Sequence, residues 1–252
     1  MEKYALELIE KGKRIDGRKL EEFRPITIKK GIVETAEGSA SVKLGETEVV
    51  VGVKLNVGEP YADAKDEGVL IVNAEFTPMA SPDFESGPPG EDAVELARVV
   101  DRGLRESKCI ELKKLCIVPG EKVWIIFVDI HIINHQGNLI DAAALASMAA
   151  LSSAKVPKLD GENILRGDFE RDLPVVFKPI NITVGKVGEK FLVDPIFEEE
   201  GILSSKLSIC VRDDDNICAL QKQGSGEINI EDIEKMVDIA LEKTKEIRKL
   251  VE

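Results

Sequence analysis

Arg98, Arg102 and Arg105 recur at steps of four and three residues. On a helix turning about 100° per residue they share one sector, opposite Leu96, Val99, Val100 and Gly103. Guanidinium groups in such a row can engage successive phosphates of one nucleic-acid strand. The same spacing sets Glu95 near Arg98, Asp101 near Arg105 and Arg102 near Glu106, the geometry of ordinary helical ion pairs. Spacing alone leaves both readings open: a strand-binding face, or a surface laced with salt bridges.

Other reactive side chains carry weaker signals. Asp129 and His131 lie two apart on one face of an apolar run, an acid–imidazole pair that could serve as a base. No nucleophile motif accompanies it, so a satisfied pair in the core is expected. Cys109, Cys116, Cys210 and Cys218 form no C-x-x-C, and His131 and His135 are the only imidazoles, so reduced thiols are expected and no metal or cofactor. Asp213, Asp214 and Asp215 lack the glycine and distal glutamate of a calcium loop and read as a hairpin turn. Gly224-Ser225-Gly226 could hold an anion and reads as a flexible entry turn to the last helix.

Composition narrows the function classes. Of 252 residues, 43% are hydrophobic and 32% charged, a globular balance. The net charge of -13 repels phosphate, which argues against a general nucleic-acid coat but leaves room for a local basic patch. No apolar run reaches the roughly 20 residues of a membrane span. Behind the charged first residues there is no apolar leader segment, so a soluble cytoplasmic protein is expected.

These side chains must be positioned by a mixed set of elements. Helical periodicity marks 2–11, 92–107 and a helix from about 229 capped by Asn229; strand-like runs cover 31–36, 39–44, 47–57 and 69–77. Proline and glycine make 78–91 a loop. Strands are expected at 113–118 and 121–133, the second apolar at nearly every position and so buried on both faces. The Ala-rich stretch 141–154 reads as a buried central helix, 159–172 as a polar connection, and 173–184, 190–193, 207–212 and 217–221 as strands. The class expected is α+β.

In order along the chain stand R-I-D-G-R from Arg14, G-S-A-S-V-K-L-G-E-T from Gly38, Pro119-Gly120, the Ala-rich helix, and V-D-P-I-F-E-E-E from Val193. This series resembles the RNase PH family of phosphorolytic exoribonucleases, and within it the non-catalytic type of subunit of the archaeal exosome ring. The resemblance implies an RNase PH-type α+β fold, with a larger unit at 1–184 and a smaller one at 185–252. It implies three kinds of partner: a catalytic RNase PH-like paralogue in an alternating hetero-hexameric ring (a trimer of heterodimers), an RNA-binding cap protein, and single-stranded RNA met by Arg98 and Arg102.

Catalytic members carry G-[ST]-R-T at the start of the Ala-rich helix, where free N–H groups attract phosphate. Here the turn is Gly137-Asn138-Leu139-Ile140-Asp141, with Ile140 expected in the place of the arginine and Asp141 adding a repulsive charge. In the family's E-D-x-x-G-x-x-D pattern, Lys206 replaces the acid that serves as proton donor or metal ligand. Asp194, Glu198, Glu199 and Glu200 read as a solvated acidic turn. An inactive ring subunit is the reading preferred over a phosphorolytic nuclease acting alone.

Overall fold

The computed structural model describes residues 2–161 and 163–251. The chain opens with helix α1 (Glu2–Glu10) and a large sheet of β1 (Ile26–Lys30), β2 (Gly38–Leu44), β3 (Thr47–Gly58), β4 (Val69–Phe76), β5 (Cys116–Val118) and β6 (Lys122–Asn134). Its order is β1-β2-β3-β6-β4, with β5 paired to β6; only the β4–β6 pair is parallel. That parallel step needs a crossover, supplied by helix α2 (Glu91–Glu106) and a 3-10 turn, Leu112–Leu115.

Helix α3 (Leu139–Ser153) follows, then a hairpin of β7 (Lys155–Asp160) and β8 (Asn163–Asp172). A second sheet, ordered β10-β9-β11-β12, is built from β9 (Ile180–Val187), β10 (Lys190–Val193), β11 (Ser205–Val211) and β12 (Ile217–Gln223). A single turn, α4 (Phe197–Glu200), and the last helix, α5 (Ile230–Arg248), complete the chain. Residue 185, the expected start of the smaller unit, lies inside β9. Mixed helices and largely antiparallel sheets make the class α+β, as expected.

The core lies around α3, which packs on β2 and β3 on one side and on β9 of the second sheet on another. Small side chains let it sink between them. A Cβ on Gly38 would lie 2.5 Å from the Ala150 carbonyl oxygen, so β2 meets this helix at a distance that only glycine allows. The capping of α5 is as expected: Asn229 Oδ1 accepts from the Asp232 N–H at 2.7 Å.

Several expected elements differ. The first strand is Ile26–Lys30 and 31–36 is a loop, because Gly31 turns the chain at φ +71° and Ser39 Oγ captures the Val33 N–H. The polar connection at 159–172 is the β7–β8 hairpin, whose mostly exposed residues show no apolar alternation; Arg166 ties it to Glu37 and to the Leu55 carbonyl. Residues 112–115 form a 3-10 turn ahead of the short β5. No strand begins at 173: Pro174 and Pro179 have no N–H to give a ladder, and β9 starts at Ile180. In β6 the even-numbered residues from Trp124 to Ile132 are buried, while Ile125, Phe127, Asp129 and His131 are half-exposed, so only one face is covered.

Candidate functional site

The turn that opens α3 is held by a clasp of buried ion pairs. Arg24 donates to Asp194 from its backbone N–H (2.8 Å), Nε (2.9 Å) and Nη2 (2.6 Å), and from its other nitrogen to the Gln136 carbonyl at 2.7 Å. Arg18 reaches Asp194 Oδ2 at 2.8 Å, and Asn138 Nδ2 donates to Oδ1 at 3.1 Å. Arg14 and Glu199, both fully buried, pair beside them. Gly137 cannot be replaced at the centre: its φ is +89° and a Cβ would stand 2.4 Å from the Pro195 carbonyl oxygen.

Asp194 and Glu199 are therefore not in a solvated turn, as expected from sequence, but entirely inside the protein. Guanidinium groups replace the water they lose. Burial pushes the Asp194 carboxyl up, yet the hydrogen bonds and charge of Arg24, with the charge of Arg18, hold it below its ordinary value. The arginines of the R-I-D-G-R opening and the acids of V-D-P-I-F-E-E-E are thus two halves of one fastening. Acids and arginines recurring in separate motifs were the available signal, but nothing local pairs them.

Asp141 also lies elsewhere than expected. Only 5% exposed, it accepts from the Thr183 N–H (2.9 Å), Thr183 Oγ1 (2.8 Å), Asn181 Nδ2 (2.8 Å) and Asn138 Nδ2 (3.0 Å). Its charge is aimed at β9, away from the solvent at the helix start. Burial pushes its carboxyl up to about 6, against the pull of those donors. On the inactive reading, the repulsion of phosphate assigned to Asp141 therefore falls to other groups.

Those groups line a cleft of roughly 200 Å³ that includes His135, Asn138, Leu139, Ile140, Glu200 and Lys206. Counted from Gly137, the third place of G-[ST]-R-T is Leu139, so the position assigned to Ile140 belongs to its neighbour; both are aliphatic and both line the cleft. Glu200 Oε1 accepts the Asn138 N–H at 3.2 Å and lies 3.6 Å from Lys206 Nζ. The chain's own carboxylate thus occupies a donor at the helix entrance, where an anion would bind. Lys206, the cation in this lining, is already paired. Asp92 and Glu95 line the same cleft and add negative charge. His135 stacks on Phe84 and meets the edge of Phe197; burial lowers its basicity.

The arginine face adjoins this cleft, with Glu95 lining both. Of the three helical ion pairs allowed by spacing, one forms: Arg105 bonds Asp101 at 2.6 and 3.1 Å and also reaches the Leu70 carbonyl at 2.9 Å. Arg102 turns from Glu106 to the neutral Gln221, 2.8 Å away on β12. Glu95 is taken by Gln223 at 2.7 Å. Arg98 is exposed and has no hydrogen bond or ion pair among the described residues. Two of the three guanidiniums thus keep a charge that no carboxylate cancels. They border a depression of about 460 Å³ with Val94 and Val99.

Asp129 and His131 are not a core pair. They face the uncovered side of β6, where Asp129 accepts from Asn73 (3.2 Å) and His131 lies 3.5 Å from Glu75, each partner directly across on β4. The aspartates at 213–215 form the β11–β12 turn, with Asp214 bound to Arg212 and Asn216. Gly226 N–H bonds the Ser204 carbonyl at 2.8 Å, fixing the turn before α5. All four cysteines are free. Among the described residues no helix is long and apolar enough to cross a membrane.

Comparison with known proteins places this arrangement. Residues 22–157 match the model of the 3′ exoribonuclease family, domain 1, and residues 179–243 match domain 2 of the same family. A Thermococcus gammatolerans protein named exosome complex component Rrp42 is 49% identical over 251 residues, 98% of this chain and 92% of that protein. Its namesake from Methanothermobacter thermautotrophicus is 48% identical, over 97% and 92%. Among solved structures, a chain of the Archaeoglobus fulgidus exosome with RNA bound to the active site superimposes with a TM-score of 0.93 at 46% identity, covering 100% of this chain and 97% of that one. Rice Rrp46, 20% identical, shares the fold with a TM-score of 0.72, over 94% and 98% of the two chains.

Proposed function

The chain belongs to the RNase PH family of 3′ exoribonucleases, and from that premise we propose that it is a non-catalytic subunit of an archaeal exosome ring. It would alternate with a catalytic RNase PH-like paralogue in a trimer of heterodimers, beneath an RNA-binding cap protein and in the cytoplasm. Its tasks on this reading are to complete the ring, support the paralogue's active site and hold single-stranded RNA.

The observation that carries the inactive reading is the cleft at the head of α3. Phosphorolysis needs a cradle for the attacking phosphate and a group to manage charge on the leaving oxygen. Leu139 and Ile140 offer the first nothing, and Glu200 already sits on the helix entrance. Lys206 offers the second a cation in place of an acid. Asp141 has no part in this, because its carboxylate is committed to β9.

For RNA, the reading rests on Arg98 and Arg102, whose charges stay available; Arg105, expected with them, is neutralised by Asp101 and is assigned to packing. The deciding experiment incubates single-stranded RNA and phosphate with the purified chain, with the catalytic paralogue, and with both. Nucleoside diphosphates should appear with both together and be absent with this chain alone. Phosphate-dependent release by the chain alone would establish an independent nuclease instead.

A further inference from the structure

The β11–β12 hairpin brings two thiols together. Cys210 faces Ala219 and Val211 faces Ile217, so Cys218 is the extra residue of a bulge lying against Cys210. Their surroundings are unequal. Cys210 is 4% exposed, its Sγ lodged against Gly103 of α2, where an added Cβ would come within 3.1 Å. Cys218 is half-buried, its Sγ 3.5 Å from the Asn216 carbonyl oxygen.

We propose that Cys218 and Cys210 are an oxidisable pair that closes into a reversible cross-strand disulfide on meeting hydrogen peroxide. Cys218 is the more exposed of the two, and the neighbouring Cys210 thiol with the charge of Arg212 draws its thiol down against the effect of burial. That makes Cys218 the attacking thiolate and buried Cys210 the resolving one. The Cys218 sulfur bonds to one peroxide oxygen, the O–O bond breaks, and the departing hydroxide takes a proton to leave as water. The Cys210 sulfur then attacks the resulting sulfenic acid, the S–O bond breaks, and the hydroxyl leaves with the Cys210 proton as a second water. Two thiols lose two electrons, and one peroxide becomes two waters.

Cys109 is a bystander. Its Sγ donates to the Leu104 carbonyl at 3.2 Å, and burial pushes its thiol up to about 12, where thiolate is scarce. The pair has a place in the candidate interface, because β12 also supplies Gln221 and Gln223, which hold Arg102 and Glu95. Closing it would pin the hairpin that braces the arginine face.

The test treats the folded full-length chain with hydrogen peroxide, then reads intact mass and maps peptides without reduction. The wild-type chain should lose two hydrogens, show a Cys210–Cys218 cross-link and regain its mass with dithiothreitol. Cys210→Ser should stop at a dimedone-reactive Cys218, and Cys218→Ser should form neither product. A folded chain that yields no such cross-link, or one that joins Cys109 or Cys116 instead, overturns the assignment, as does closure only after unfolding.

Discussion

Replacing Arg98 and Arg102 together with alanine should weaken RNA binding by the assembled ring, most strongly at low salt. Each phosphate contact on a single strand contributes about 0.7 to the slope of log affinity against log salt. Arg98 has no partner among the described residues and Arg102 only a neutral one, so both contribute in full, and their loss should flatten the slope by about 1.4 for each strand engaged by one copy. Between about 50 and 200 mM salt, that difference makes the variant's deficit roughly sevenfold larger at the lower concentration.

Arg105→Ala is the control, because it removes the same formal charge from the same helix. Its guanidinium is cancelled by Asp101, so the slope should hold near the wild-type value. Fluorescence anisotropy of labelled single-stranded RNA across a salt series measures all three. Equal slopes in the double variant and the wild type would refute the phosphate contacts. An Arg105→Ala slope change of about 0.7, half that expected of the double variant, would refute the argument from committed and uncommitted charge.

Asp194→Asn should destabilise the fold by about 3–5 kcal/mol, since it leaves the Arg24 guanidinium buried against a neutral group; denaturant midpoints at unchanged m-value check this. Asp141 should give stability a pH dependence of its own. Its carboxyl is raised in the fold from an ordinary 3.8 to about 6, so its contribution is full below about pH 4 and is lost as the pH rises toward 6. Asp141→Asn should remove that slope, and a variant with the wild-type slope over this window would contradict it; absolute stability is not the readout, because the new amide faces donors. Asp194, held low, acts in the opposite sense and below pH 4. Gly38→Ala should cost about 1–3 kcal/mol by pushing β2 off α3, visible as a lower melting temperature with secondary structure retained.

Much of this protein is legible along the chain because periodicity and turn chemistry are local. The α2 arginine row, the Ala-rich buried helix, the β2–β3 hairpin closed at Gly45 and the Asn229 cap all follow from neighbours a few residues apart. The residue types at Leu139, Ile140 and Lys206, on which the inactive reading rests, are read in the same way. What stayed hidden depended on partners far off in sequence or on the absence of an apolar pattern. The β7–β8 hairpin has little buried face to betray it, and β6 reads as apolar on both sides although one is open.

Charge was the hardest to read. Spacing allowed three ion pairs on α2, and only packing decided that Glu95 goes to Gln223, Arg102 to Gln221 and Asp101 alone to an arginine. Asp141 sits in the sequence at the head of a helix, yet the second sheet turns its carboxylate inward. Sequence by itself determined which chemical groups this chain owns and in what order they follow one another. The tertiary structure decided where each charge points and whether another cancels it, because a charge in a folded protein acts through the partners and the water it still has.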